Sequence, residues 1–510
     1  MSNSVRLPVA IGLFLSFLTG WTVAGYTGGI VGLVLGMVML VAPWYRQPLW
    51  RWAALYLWRN RPVDLVKPVT VTNDRSSGGA RFQKGVVVTA VQLLGKPYRP
   101  TIFIGSAVTQ TANTIDISQL QPHMRQSLGL TIESMTLVSS GYRRRNVGDY
   151  PRVYDTFIGT APYAGRRETW MILRIRSLEN SDALQYRDTA GTAALAAAQR
   201  IAGALRCQGI RAKVATATDM RDFERRVGRD ALEPTNRRWH STRGDAGWHT
   251  TYAYHPADIN SENLAQAWSL PADGITQNIT VFPDGGMTAT VTVRTAQPAT
   301  ASPSVMLQTL PGEQAAAMTA NLCCPLPVIR RVSRGRLSGS LTIPIGSSGV
   351  LLGKTPTGDR LMLPLSDPGE PSRVHVAADD PIAKRIVIRT ASAGERITVH
   401  TRDVHRWDSV RMPNVVVTNH ARPAPGTTVS VVDGTVQPTP RPNAVISVSP
   451  PNTDTAGGHV ADVVIAQTSG NAVVVTADGM SYEAEFEFFR AENRYISGST
   501  CMPANLVPAD

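Results

Sequence analysis

The sequence predicts a membrane-anchored α/β (α+β) protein, in which an N-terminal two-helix transmembrane hairpin precedes a mixed α/β cytoplasmic region. Two apolar runs occupy Leu7 to Tyr45 without a single charged residue or histidine. Basic residues stand on both sides of this segment. Valine-rich strand patterns and alanine-rich helical patterns then alternate along the chain, which is the order expected of α/β proteins.

Residues 1–45 are predicted to form the hairpin, with spans at about 7–25 and 28–45. A membrane-crossing helix needs about 20 mostly apolar residues. The first run reaches this length, and the second reaches it only when the preceding glycines and Trp44 are included. The alternative is a cleaved signal peptide, because a basic start, an apolar core and Ala24-Gly25 imitate one. The second run would then be the membrane anchor.

Basic residues predict the orientation of the hairpin. Arg6 precedes the first span, and the turn between the spans carries no charge. The basic residues after the second span are Arg46, Arg51, Arg59, Arg61 and Lys67. Because basic residues within about 15–20 positions of a span favour the cytoplasmic side, we expect both termini and everything after residue 46 to be cytoplasmic.

Small residues repeat every four positions along both predicted spans. They are Gly12, Ser16 and Gly20 on the first span and Gly28, Gly32 and Gly36 on the second. Residues four apart share one helix face, and small-residue stripes let helix backbones approach closely in lipid. We expect this face to be a helix-packing seam. Two alternatives stay open: the two spans pack on each other, or one stripe docks onto another membrane subunit.

Residues 46–66 are predicted to be a juxtamembrane aromatic and basic segment with a short helix at 48–60. Aromatic rings settle at the level of the lipid headgroups, and arginines reach anionic phosphates. We therefore expect a helix on the cytoplasmic leaflet that contacts anionic lipid headgroups. The alternatives are a helix held by a partner and a continuation of the second span. The predicted interfacial anchors are Trp44, Tyr45, Arg46, Trp50, Arg51, Trp52 and Trp58.

The net charge of +13 comes from 51 Lys and Arg against 38 Asp and Glu. Such an excess is compatible with nucleic acid, acidic lipid or an acidic partner. No basic stripe interleaved with aromatic residues occurs beyond the juxtamembrane segment, so we expect no nucleic-acid partner. The run Arg143-Arg144-Arg145 and the stretch 221–230, which mixes both signs of charge, are expected to be solvated faces.

The rest of the chain divides by composition. A linker is predicted at 67–80, a first α/β domain at 81–230, a strand-rich second part at 231–330, and a C-terminal α/β part at 331–510 with a Pro/Thr-rich loop at 421–456. The strongest patterns are strands at 85–94, 131–140 and 170–176, a helix at 182–206, a strand, loop and helix over 374–394, and closing strands at 463–468, 472–477 and 482–489.

No catalytic, cofactor-binding or metal-binding motif is complete. The fragment at 353–355 reads GKT, but a phosphate loop would need a glycine where Ser348 stands and a helix after the threonine, so a hairpin tip is expected. The loop Asp379-Asp380-Pro381 lies between a predicted strand and helix, and its carboxylates would repel phosphate. The four cysteines are too scattered for a zinc site, and Cys323-Cys324 is expected to be a buried pair of thiols.

The chain resembles the EccE family of the type VII (ESX) secretion machinery of mycobacteria. The resemblance is carried by the two spans, the aromatic and arginine-rich stretch after them, the strand that opens Gly85-Val86-Val87-Val88, the alanine-rich helix, and the block RIVIRTASAG…ITVHTRDVHRW. It implies a non-catalytic structural subunit of an inner-membrane secretion complex, without a cofactor. The partners it implies are EccB, EccC and EccD, with the protease mycosin at the periphery. The alternative is a membrane-anchored enzyme acting on nucleotide- or lipid-linked substrates, with Asp379 and Asp380 as its candidate acids.

Overall fold

The computed structural model describes residues 3–40, 43–44, 47–58, 62–74, 76–105, 108–185, 187–451 and 461–497. The predicted anchors Tyr45 and Arg46 and the end of the predicted loop at 421–456 lie outside these residues. The α-helices of the described part are α1 (Asn3–Leu40), α2 (Leu49–Trp58), α3 (Tyr150–Ile158), α4 (Ser181–Leu184), α5 (Ala190–Cys207), α6 (Ala217–Val227), α7 (Ser261–Gln266), α8 (Gln314–Ala320), α9 (Asp380–Ser392) and α10 (Val404–Trp407).

The first of two large sheets is antiparallel throughout. Short strands at Arg211–Val214, Leu307–Thr309 and Gly335–Arg336 pair alongside its main path. From one edge to the other, the main strands are Thr242–Gly244, Gly247–Tyr254, Gly286–Thr295, Gly274–Val281, Ser134–Tyr142, Arg166–Arg176, Val86–Leu94, Ser77–Gln83 and Val69–Thr72.

The valine run predicted as a strand packs on both of its faces. Successive side chains of a strand point to opposite sides of the sheet. Val87 and Val91 join a core that includes the alanines of α5, whereas Val88 and Ala90 join a second core with α6. Because both faces are covered, the strand reads as a continuous apolar run instead of an alternating one.

The second large sheet combines a parallel half with an antiparallel half. Its strands in spatial order are Val415–Thr418, Ile397–Thr401, Val429–Asp433, Ala444–Ser449, Ser372–Ala377, Val463–Ser469, Ala472–Ala477, Met480–Glu485, Val350–Lys354, Arg360–Leu363, Thr101–Ile104 and Val108–Thr111. The first six run parallel. Two-stranded pairings complete the inventory: Thr114–Asp116 with Thr342–Pro344, and Pro43–Trp44 with Gln47–Pro48.

Helix α9 follows the strand Ser372–Ala377, as the strand, loop and helix pattern predicts. Pro381 lies at its start, where a missing backbone N–H costs nothing. The helix is buried from Ile382 to Ser392 and packs into the core of the second sheet.

Two segments differ from their composition-based predictions. The predicted linker 67–80 holds parts of two paired strands, because Gly78 and Gly79 allow the backbone to lie directly against α5 and α6. The predicted loop 421–456 holds two buried strands of the parallel half. Its prolines at 437–442 occupy the connection between those strands, so composition averaged over the whole segment concealed them. The domain divisions stay predictions.

The expectation of solvated charge runs is wrong at two residues. Arg143 is only 3% exposed and donates to the carbonyl oxygens of Ala161 and Trp268 at 2.7 and 2.9 Å. Glu224 is completely buried. A run of charges in sequence does not reveal which of its members turn inward, because helix and strand faces alternate within a few residues.

Candidate functional site

The N-terminal helix α1 contains the small residues of the predicted seam. Its backbone leaves the helical region at Ala24 (φ −140°, ψ 28°) and Gly25 (φ 61°, ψ −145°). Within the described residues, the stretch Ala10–Leu40 is long and apolar enough to cross a membrane, judged by length and composition. Most of its large apolar side chains are exposed, so the globular region does not cover them.

The predicted small residues lie opposite one another across the interruption of α1. A methyl group on Gly20 would overlap the carbonyl oxygen of Gly28, and one on Gly36 would come within 2.7 Å of Ser16 Oγ. The close approaches pair Gly20 with Gly28 and Gly32, Ser16 with Gly32 and Gly36, and Gly12 with Leu40. The segments before and after Ala24 therefore meet at a distance that larger side chains would prevent.

Helix α2 docks on the globular region. The Trp52 ring lies 5.7 Å from the Trp239 ring, and the Tyr56 ring lies 6.1 Å from it. The guanidinium of Arg331 lies 5.4 Å from the Trp52 ring. Trp52 and Tyr56 are four positions apart, so one face of α2 makes these contacts.

A buried carboxylate reinforces this dock. Glu313 is 3% exposed and accepts backbone N–H bonds from Arg330 and Arg331, each at 3.2 Å. Its Oε1 lies 3.9 Å from a terminal nitrogen of Arg51 on α2. Burial lowers the pKa of the Arg51 guanidinium, and the neighbouring charge of Arg330 lowers it further. One acid thus links α2 to the basic segment that begins at residue 330.

The other predicted anchors lie around the same helix. Trp50 is 38% exposed and Leu57 is 75% exposed, and their spacing of seven places them on one face with Ala53. Trp44 lies in the short strand Pro43–Trp44, and Trp58 ends α2. The predicted anchors thus include residues that contact the globular region as well as exposed ones. Trp239, Glu313 and Arg331 are the contact residues that sequence reasoning missed, because no pattern connects them with position 52.

The residues that the sequence offers as candidates for catalysis, nucleotide binding or metal binding have structural roles in the fold. The GKT fragment ends the strand Val350–Lys354 and opens a hairpin, as predicted. Asp380 accepts from Arg406 Nε at 2.9 Å, and this bond lowers the pKa of the Asp380 carboxyl. Asp379 Oδ2 accepts from Gln467 Nε2 at 3.0 Å. Cys323 and Cys324 are buried, as expected. No group of three or more potential metal ligands lies together in the described ranges.

The known proteins that this chain matches are EccE proteins of ESX secretion systems. Residues 163–254, which include α5 and α6, match the family described as type VII ESX secretion system translocon, EccE. The ESX-2 secretion system protein EccE2 of Mycobacterium tuberculosis is 49% identical over 94% of this chain and 93% of its own length. The ESX-1 protein EccE1 of the same species is 26% identical over 83% of this chain and 90% of its own length. The ESX-5 protein EccE5 of Mycobacterium marinum is 29% identical over 38% of this chain and 50% of its own length.

Proposed function

Because this chain belongs to the EccE family and is a structural subunit of a type VII secretion complex, we propose that it acts without catalysis, by holding a membrane hairpin rigidly against a cytoplasmic domain. The observation that carries the proposal is the dock of α2 on Trp239, Arg331 and Glu313. Because α2 is fixed to the globular region at several points, the apolar segment that precedes it would keep a fixed position relative to that region.

The apolar segment crosses the inner membrane twice in this proposal. The interruption at Ala24 and Gly25 supports it, because the backbone turns there and brings Gly20 against Gly28. Two spans of roughly 18 residues fit a hydrocarbon core of about 30 Å only with flanking residues included. The flanking arginines then place both termini in the cytoplasm.

The proposed partners are other ESX membrane components: EccB, EccC and EccD, with mycosin at the periphery. The seam between Ser16 and Gly32 is filled within this chain, which favours packing of the two spans on each other. Contacts with partners then fall to the exposed apolar faces of α1 and to the exposed face of α2. Anionic lipid headgroups are the proposed neighbours of the face of α2 that carries the exposed Trp50.

Substitution of Gly32 tests the seam. Gly32→Leu would drive a branched side chain into the carbonyl oxygen of Ser16, so we expect this variant to lose co-purification with EccB, EccC and EccD. Val305→Leu is the matched control, because Val305 is fully exposed, gains one methylene and lies outside both α1 and α2. An unchanged complex on native gels with the Gly32 variant would contradict the proposal.

The orientation has a separate test. A fluorescent protein fused at the C-terminus should be fluorescent in cells, and alkaline phosphatase fused there should be inactive. The reverse pair of results would place the C-terminus outside the cytoplasm and overturn the two-span topology. The same fusions placed directly after residue 27 should give the opposite pattern.

A further inference from the structure

A cleft of about 620 Å³ opens between the two sheets, away from the α2 dock. Arg166 and Arg167 line it from the first sheet. Asp367, Glu395 and Thr427 line it from the region of the second sheet. The cleft plays no part in the proposed anchoring function, and nothing in that function explains its charges.

Arg167 is the unusual residue of this cleft. It is 6% exposed, and its guanidinium stacks 4.1 Å from the Trp268 ring. Its Nε has no hydrogen-bond partner, and no carboxylate of the described residues lies within salt-bridge distance. Burial alone lowers the pKa of Arg167 to about 9, because no opposite charge offsets the loss of water. An uncompensated buried cation is costly to fold.

The other buried arginines show what this chain ordinarily provides for such a group. Each of them donates side-chain hydrogen bonds to a carboxylate or to backbone carbonyl oxygens within the described part of the chain. They are Arg81, Arg143, Arg174, Arg237, Arg385 and Arg389. Arg167 differs from all six, because its side chain has no such acceptor. This difference requires an explanation.

The remaining charges of the cleft are mostly satisfied. Arg211 binds Asp367 through two bonds of 2.7 and 2.8 Å. Arg226 binds both oxygens of Glu168 at 2.8 Å. Five cations and three acids line the cleft, a difference of two positive charges. Although burial opposes it, the third acid, Glu395, raises the pKa of the Arg166 guanidinium, so the surplus of two charges lies on Lys96 and Arg167.

We propose that this cleft binds a small phosphorylated anion, whose oxygens supply the acceptors that Arg167 lacks. Arginine suits this task because its planar fork donates two parallel hydrogen bonds to phosphate. The Ser347 hydroxyl lies beside Arg167 and accepts its backbone N–H at 2.9 Å, whereas the Ser366 hydroxyl donates to Glu395 at 3.0 Å, so the guanidinium is the main donor that the cleft offers to a phosphate. The ligand would join the two sheets across the cleft and stabilise their relative position.

Titration of the full-length protein in detergent with inorganic pyrophosphate tests the proposal. We expect saturable binding by calorimetry and a rise of roughly 3 °C or more in the midpoint of thermal unfolding. Sodium chloride at the same ionic strength should give neither. Equal effects of both salts would overturn the proposal, because they would show that screening alone is responsible.

The variant Arg167→Met separates a ligand site from a structural residue. Methionine retains the length that packs on Trp268 but removes the charge. We expect pyrophosphate to bind at least about tenfold more weakly, while the variant without ligand unfolds at the same temperature or higher. Unchanged binding would overturn the proposal. Arg336→Met, which removes an exposed arginine far along the chain, is the control and should bind like the parent.

A parallel titration identifies the source of the phosphate. Glycerol 3-phosphate represents a soluble ligand, and dihexanoyl phosphatidic acid represents a lipid headgroup. Tighter binding of the former, lost in Arg167→Met, assigns the cleft to a soluble metabolite. Tighter binding of the latter, lost in the same variant, assigns it to a headgroup. Binding of either that persists in the variant counts against the site. None of these results depends on the proposed anchoring function, which the Gly32 variant tests separately.

Discussion

The regions around the two sheets each bury one glutamate completely, but they supply its counter-charges differently. In the first region, Glu224 of α6 accepts two bonds from Arg81, at 2.6 and 2.9 Å. In the second, Glu492 accepts from Arg385 and Arg389 of α9 and from the hydroxyl of Tyr150. Each site holds two cations for one acid, but the second cation of the first site, Arg229, lies 3.7 Å from Glu224 and is 35% exposed, whereas both cations of the second site are buried.

The difference shows how a surplus buried cation is tolerated. The guanidinium of Arg389 lies 4.6 Å from the Phe486 ring, and that of Arg385 lies 4.5 Å from the Phe488 ring. Arg389 also donates to the Leu351 carbonyl oxygen at 2.9 Å. Ring faces and carbonyl oxygens take over part of the role of a second acid. The second site therefore depends on more partners: Arg385, Arg389 and Tyr150 bind Glu492 directly, and the rings and the carbonyl oxygen contact the two arginines.

The largest effect is expected from Glu492→Ala. This change leaves two buried guanidiniums without their acid, so the free energy of unfolding should fall by about 4 kcal/mol. Urea denaturation of the full-length protein in detergent measures the change. Glu483→Ala, on an exposed position of a neighbouring strand, is the control and should stay within about 0.5 kcal/mol of the parent. Similar losses in the free energy of unfolding for both variants would show that the buried Glu492 contributes no more to stability than an exposed glutamate.

Glu224→Ala should cost less, about 3 kcal/mol. Arg81 retains a bond to the Cys323 carbonyl oxygen, and the second nearby cation, Arg229, is 35% exposed and can turn to water. The double variant Arg81→Met with Glu224→Leu should regain most of this loss, because no buried charge is left unpaired. A larger loss for Glu224→Ala than for Glu492→Ala would show that the number of buried counter-charges does not decide the cost.

Buried histidines extend the comparison to pH. Burial lowers the pKa of His249 in the first region to about 4, and its Nε2 has no partner among the described residues. Burial also lowers the pKa of His400 in the second region, where both ring nitrogens have partners. The unfolded chain binds protons more readily than the folded one at both sites, so stability should fall as pH drops below about 6.5.

For His249 this loss should continue to about pH 4 and reach about 3 kcal/mol there. His249→Gln should flatten the pH dependence of the unfolding midpoint between pH 6.5 and 4, and His400→Gln should flatten it less. His240→Gln, at an exposed position, is the control and should leave the curve unchanged. A curve that steepens in the His249 variant would contradict the sign of the effect.

The smallest effect on stability is expected from the N-terminal caps of α6 in the first region and α9 in the second. Thr216 starts α6 with a capping box, in which its hydroxyl accepts from the Asp219 N–H and the Asp219 carboxylate accepts from the Thr216 N–H. Asp379 starts α9 without a side-chain cap bond. Thr216→Ala should therefore cost about 1 kcal/mol. Asp379→Ala should cost less than half of that, as measured by the same denaturation series. Equal losses would show that Gln467, the partner of Asp379, matters as much as a cap.

Sequence reasoning succeeded where the signal is local. The valine strand at 85–94, helix α9 and the hairpin at the GKT fragment each follow from a few adjacent residues. It failed where partners are far apart: Arg81 and Glu224 are 143 positions apart, and nothing near either one reveals the other. The small-residue spacing in α1 is also a local signal, and the seam that it predicts stays a prediction. The contact of α2 with Trp239 has no such spacing, because it depends on how the whole first region folds.

The insertion of Thr101–Ile104 and Val108–Thr111 into the second sheet has a consequence for biosynthesis. Their pairing partner, Arg360–Leu363, leaves the ribosome about 250 residues later, roughly 10 to 50 s at ordinary rates of translation. During that interval these early strands wait with an unpaired edge. Nascent chains held at one membrane could pair wrongly with each other, so prompt shielding by a chaperone or by an assembly partner would favour a high yield of this subunit.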